Sequence, residues 1–150
     1  MNKLQRIIFG VYLIISGIIG FYYASTIDLW NINQPLILIL LIVIIASIIT
    51  MLVTGILIVI NKKSLFIPFV TAMIMQILNF STNIFSYRFI CGSVMSVDYN
   101  LHENKLSLDF RIMISEIFIA TSSEVLSFGI DICPLIIIYI AVSFREKLFR

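Results

Sequence analysis

The chain predicts an all-α integral membrane protein: a four-transmembrane-helix bundle, both termini inside, with a small extracytoplasmic β-hairpin between helices three and four. Three observations predict it. Charges between Lys3 and Arg88 come in small clusters, and the stretches 7–27, 29–61 and 64–87 between them carry none. Hydrophobic residues make up 61% of the 150 residues and charged residues 12%, with a mean hydropathy of +1.11, far from a water-soluble domain. The basic residues also gather on one side of the expected membrane.

The first three helices follow from length, since about 20 apolar residues cross roughly 30 Å of hydrocarbon. They are expected at 7–24, 36–60 and 65–87. Lys3 and Arg6 before an apolar run also fit a signal peptide, but no small-x-small cleavage site lies around Tyr22, Tyr23 and Ala24, so a retained helix is expected. With the N-terminus inside, the cytoplasmic side carries Lys3, Arg6, Lys62, Lys63, Arg145, Lys147 and Arg150 against Glu146 alone. The outer side carries Arg88, Lys105 and Arg111 against seven acids. Tyr22, Tyr23, Trp30 and Tyr87 then sit at the outer interface.

An even number of crossings requires a fourth helix, which two readings place differently. Only thirteen residues, Ile132 to Phe144, lie between Asp131 and Arg145. A capping box at Thr121-Ser122-Ser123-Glu124 allows a helix over 122–144, with Asp131 inside the membrane and Pro134 kinking it. Alternatively Asp131 marks the helix start and Pro134 occupies its first turn. Both stay open.

The segment 88–121 is expected outside the bilayer. Leu106, Leu108, Phe110, Ile112 and Ile114 alternate with Ser107, Asp109, Arg111 and Ser115, a period of two that means strand. Met95, Val97, Tyr99 and Leu101 alternate upstream, with 102–105 as the turn. Pairing Leu101 with Leu106 sets Tyr99 against Leu108 and Val97 against Phe110, giving one apolar face but placing Asp98 opposite Asp109. Residues 115–120 continue the second strand or form a third. A lone hairpin is marginal, so it is expected to pack on the bundle or on a neighbouring subunit.

Chemistry returns mostly exclusions. His102 is the single histidine, and no second histidine or clustered cysteine completes a zinc site. No phosphate loop, HExxH or nucleophile elbow occurs. No enzyme, metal or cofactor is inferred, and the dispersed basic residues exclude a nucleic-acid surface. Cys91 and Cys133 form a disulfide only if the fourth helix is the short one; otherwise both are inert thiols.

The strongest functional signal is the stripe Gln76, Asn79, Asn83 and Ser86 at helical spacing along the third span. Counting about 1.5 Å per residue puts Asn79 roughly 21 Å above Leu65 and Asp131 about 20 Å above Phe144, at a common level in the outer half of the bundle. Buried polar groups there serve either as an ion or proton site or as hydrogen-bonding glue between helices. Small residues predict close packing: Gly10, Gly17, Gly20 and Ala24 on the first helix, and Ala46, Thr50 and Thr54 on the second.

The expected function is a small non-enzymatic multi-pass protein of the cell (inner or plasma) membrane, an oligomerising subunit that acts with a protein partner. The alternatives are a small ion or proton channel or transporter, and a bacterial membrane immunity or antiphage-defence component.

Overall fold

The computed structural model describes residues 3–26, 35–62, 66–82, 85–120 and 126–148. Two long helices form as the charge-free stretches dictate: α1 (Lys3–Ser25) and α2 (Pro35–Val59). Both are long and apolar enough to cross a membrane, and most of their surface is not covered by the rest of the chain. They run antiparallel, because Arg6 near the start of α1 hydrogen-bonds Asn61 just past the end of α2.

Glycines set how closely the two helices approach. A Cβ at Gly10 would lie 2.9 Å from the Gly55 carbonyl, and one at Gly55 would lie 2.8 Å from that of Gly10, so the two backbones touch. Gly17 admits Leu52, and Gly20 admits Ile48 and the Cys91 thiol. Gly10, Gly17, Gly20 and Ala24 are all buried on α1. On α2 the seam is different: Ser47, Met51, Thr54 and Gly55 are buried, Thr50 is half-buried and Ala46 is exposed. Ala46, Thr50 and Thr54 do not act as one packing stripe, and Gly55 is the contact that pattern misses.

The all-α four-helix bundle is wrong. Helix α3 (Phe66–Ile74) has nine residues and α4 (Cys133–Ser143) eleven, too short to cross, and a short α5 (Arg145–Leu148) follows. Between α3 and α4 lies a four-stranded antiparallel sheet: β1 (Leu78–Ser81), β2 (Ser86–Asn100), β3 (Lys105–Ala120) and β4 (Ser127–Asp131). The sheet consumes the outer half of the expected third span and the start of the expected fourth.

Local chemistry explains both failures. Asn79, Ser81 and Thr82 carry side chains that compete for backbone hydrogen bonds and lower helix propensity. Thr82 does so directly: its hydroxyl accepts from the Phe85 amide at 3.0 Å, and its own amide donates to the Phe85 carbonyl at 2.9 Å, reversing the chain. In the fourth segment Pro134 sits in the first turn of α4, where its missing amide costs nothing. Asp131 Oδ1 accepts from the Cys133 amide at 3.0 Å, holding the chain in a turn just ahead of the helix. Asp131 closes β4 just ahead of α4, so a continuous helix over 122–144 is excluded, and α4 is also too short to be the fourth crossing of the other reading; the Thr121–Glu124 capping box lies outside the described residues.

The hairpin forms, with its register two residues from the expected one. Tyr99 pairs with Leu106, Val97 with Leu108 and Met95 with Phe110. A shift of two preserves which side chains share a face, so the apolar face survives at Leu106, Leu108 and Phe110, while Asp98 now faces Ser107 and Asp109 faces Ser96; the expected places of Ile114 on that face and Ser115 on the other are overturned by the bulge described next. The expected carboxylate clash is absent from this register. Residues 115–120 extend β3 across an irregularity between Gly92 and Val94, which gives β3 one extra residue and reverses its alternation there. Gly92 has a φ of +118°, and any Cβ there would strike the Tyr12 and Ser16 hydroxyls of α1, so the bulge needs glycine twice over.

Strand order is β1-β4-β2-β3, and β1 also pairs with the start of β2 through Phe80 and Tyr87. Because β2 meets β1 at one end and β4 at the other, the sheet curls and closes on itself. Tyr87, Phe89 and Cys91 on the near half of β2 are buried in the core shared with Leu13, Ile48 and Phe69 of the helices.

Candidate functional site: a polar pocket inside the curled sheet

Register dictates a polar face. Asn79, Gly129, Asp98 and Ser107 lie in one row across β1, β4, β2 and β3, and Ser81, Ser127, Asn100 and Lys105 form the next row on the same side. The curl turns these rows inward around a pocket of about 430 Å³, which Arg88, Glu116, Tyr87, Phe80 and Phe118 also line. Alternation sends the intervening row, Leu78, Ile130, Val97 and Leu108, to the opposite face.

Gly129 lies beside two of the side chains that line this pocket. Its missing side chain leaves room for Asn79 Oδ1 and Asp98 Oδ1, and a Cβ would overlap both. Asn79 is 7% exposed, and its Nδ2 has no hydrogen-bond partner. Asp98 takes the Ser96 hydroxyl at 2.7 Å on its second oxygen, and no ion pair reaches it among the described residues.

The other charges on this face satisfy one another. Arg88 lies 3.2 Å from Asp109 and 3.6 Å from Glu116, while Arg111 lies 2.5 Å from Asp109 and 3.0 Å from Glu116. Two guanidinium and two carboxylate groups form a closed square, whose charges raise the Arg111 pKa further through the Asp109 hydrogen bond. Asp98 stands outside this square without an ion pair among the described residues, as does the exposed Lys105 in the next row.

The proposed intramembrane stripe is dispersed. Gln76 lies just past the end of α3, where its Oε1 accepts the Cys91 amide at 2.9 Å and its Nε2 donates to the Ala72 carbonyl at 3.3 Å. It fastens β2 to the helices and does not line the pocket. Asn79 is on β1, and Asn83 lies outside the described residues. Ser86 is buried at the start of β2 and shares a 2.7 Å hydrogen bond with Ser81.

Asp131 ends β4 at 1% exposure. Its amide donates to the Ile77 carbonyl at 2.7 Å, and its Oδ1 accepts from Met95 and Cys133, each at 3.0 Å. Its Oδ2 has no partner. Burial pushes its pKa above the ordinary carboxylate value, against the lowering by those two amides. Asp131 and Asn79 are near one another through the β1–β4 pairing, two register positions apart, and not through helices at a common depth.

Cys91 and Cys133 are both free. The Cys91 thiol is buried, donates to the Ser16 carbonyl at 3.0 Å, and is pushed up to about 11 by burial. Both thiols are therefore unbridged, and Cys91 is held on α1. Among the described residues no three His, Cys, Asp or Glu side chains group as metal ligands.

Asp98, Arg88 and Glu116 are pocket residues that periodicity in the helical frame does not find. For Asp98 the signal was present, since it falls on the polar side of the hairpin alternation, whereas Glu116 has the parity of the apolar side and reaches the pocket only because the bulge reverses β3. The chain matches no protein-family model, no curated protein and no solved structure.

Proposed function

We propose that the chain is a non-enzymatic membrane subunit that works as an oligomer, anchored by α1 and α2 and associating through β3. One observation carries this reading. Beyond the helices the outer face of the hairpin is apolar and uncovered, with Leu108 at 77% and Phe110 at 67% exposure. Leu106 and Ile112 extend the same patch. Strand β3 is also the edge of the sheet, since β2 alone pairs with it among the described residues, and a sixteen-residue edge with free backbone groups is suited to pairing with a second copy.

The bilayer reading has its own support. Arg6 and Lys62 lie at the same end of the α1–α2 pair, and Arg145 stacks 4.7 Å over Phe66 on α3, whose Phe69 meets Phe9 of α1. A basic end of this kind fits a cytoplasmic face with both termini on it.

The test is the mass of the complex extracted in mild detergent, by light scattering on the full chain. Wild type is expected as a multimer, and Phe110→Lys or Leu108→Glu as a monomer with unchanged circular dichroism. A monomeric wild type would sink the proposal.

A further inference from the structure

We propose that the pocket binds an aminoethyl group, a primary ammonium two carbons from an oxygen, either as a free amino alcohol or as the headgroup of an ethanolamine lipid. This goes beyond the oligomer reading and does not depend on it.

The ammonium site is set by Gly129. With no Cβ there, Asp98 Oδ1 and Asn79 Oδ1 converge on one spot, a carboxylate and an amide oxygen that a three-donor ammonium satisfies together. Asp98 is the one acid lining the pocket without an ion pair among the described residues. The Ser96 hydroxyl serves the second Asp98 oxygen, and a cation entering here gains an ion-paired hydrogen bond to the first that no cationic side chain among the described residues supplies.

The oxygen site follows from the donors left over. Asn79 Nδ2, buried and without a hydrogen-bond partner, and Arg88 Nε, which lies 3.6 Å from Glu116 Oε2 in the ion pair but makes no hydrogen bond, both belong to residues of the pocket lining. Each needs an acceptor, since a buried donor left unmade costs stability. A hydroxyl or a phosphate ester oxygen supplies one. Ser81 and Ser127 add hydroxyls beside it, and Phe80 and Phe118 provide apolar walls for the two carbons. The cavity of about 430 Å³ lies within the range that holds small ligands.

The pairing of groups also argues against other cations. Among the described residues a bare divalent ion finds no set of acidic ligands, and a quaternary amine has no N–H to offer the two oxygens. Selection of primary over quaternary amine is therefore a property of this geometry.

The experiment uses the full chain in phosphatidylcholine nanodiscs, titrated calorimetrically with ethanolamine and with choline. A parallel sample in mixed phosphatidylethanolamine and phosphatidylcholine is read by native mass spectrometry for retained lipid. The expected result is binding of ethanolamine or selective retention of phosphatidylethanolamine, at least tenfold over choline or phosphatidylcholine. The first outcome identifies a free amine and the second a headgroup. Asp98→Asn should weaken either at least tenfold, and Gly129→Ala should abolish it by displacing the Asp98 and Asn79 oxygens. Absence of both signals in wild type overturns the proposal, as does equal binding of choline, a comparison that needs no folded variant.

Discussion

Asp131 Oδ1 holds the Met95 amide at 3.0 Å, joining the last residue of β4 to the middle of β2 across the point where the sheet curls. The same oxygen holds the Cys133 amide, so one carboxylate ties the sheet to the start of α4. Its second oxygen is buried without a partner.

That geometry predicts a pH dependence. Asp131 has a folded-state pKa raised above its unfolded value, so the folded state binds the proton more tightly. The stability it contributes is fully present below the ordinary carboxylate value and is lost as pH rises through the raised one. Thermal unfolding in detergent from pH 4 upward should therefore show declining stability. Asp131→Asn keeps the accepting oxygen and removes the titration, and should flatten that profile. Asp131→Ala strands two amides and should cost about 3 kcal/mol.

Gly55→Val should force α1 and α2 apart. Overpacking of this kind costs about 1–3 kcal/mol, read as a lower midpoint of thermal unfolding. Ala46→Leu, on an exposed position of the same helix, should leave the midpoint unchanged. Equal effects at both positions would mean that the glycine contact is not the close point.

Gln76→Leu removes the acceptor of the buried Cys91 amide and should destabilise by about 1–3 kcal/mol. Chemical denaturation in a fixed detergent measures it. Gln76→Glu retains an acceptor but buries a charge, so it should not restore wild-type stability at neutral pH.

The two thiols should differ in reactivity. Cys91 is buried and pushed up to about 11, leaving almost no thiolate at pH 7.5, whereas Cys133 is half-buried. Maleimide followed by peptide mass mapping should label Cys133 first and reach Cys91 only on unfolding. Modification of Cys91 at a comparable rate would show that the α1–β2 contact opens.

The amino-acid sequence determined α1 and α2, because a charge-free run of this length has few alternatives to a helix that can meet lipid. It also determined which side chains share a face near the hairpin turn, over 95–100 and 105–111, since a period of two needs no tertiary information, but not beyond the bulge, where Ile114 and Ser115 exchange faces. Exact register was not legible: a two-residue slip keeps every side chain on its face, so the apolar pattern cannot discriminate, and the position of the turn decides.

Tertiary structure decided the rest. The run 64–87 has the hydropathy of a helix, yet Thr82 bonding back to Phe85 turns its second half into a strand once β4 offers a partner. Asn79 and Gln76 share a face on a helix and part company when the helix ends between α3 and β1. The pocket exists because β2 is long enough to pair with β1 at one end and β4 at the other, which brings Asn79, Gly129 and Asp98 into one row from three separate parts of the chain. Such closure is a sum of long-range backbone hydrogen bonds, and no local pattern of residues encodes it.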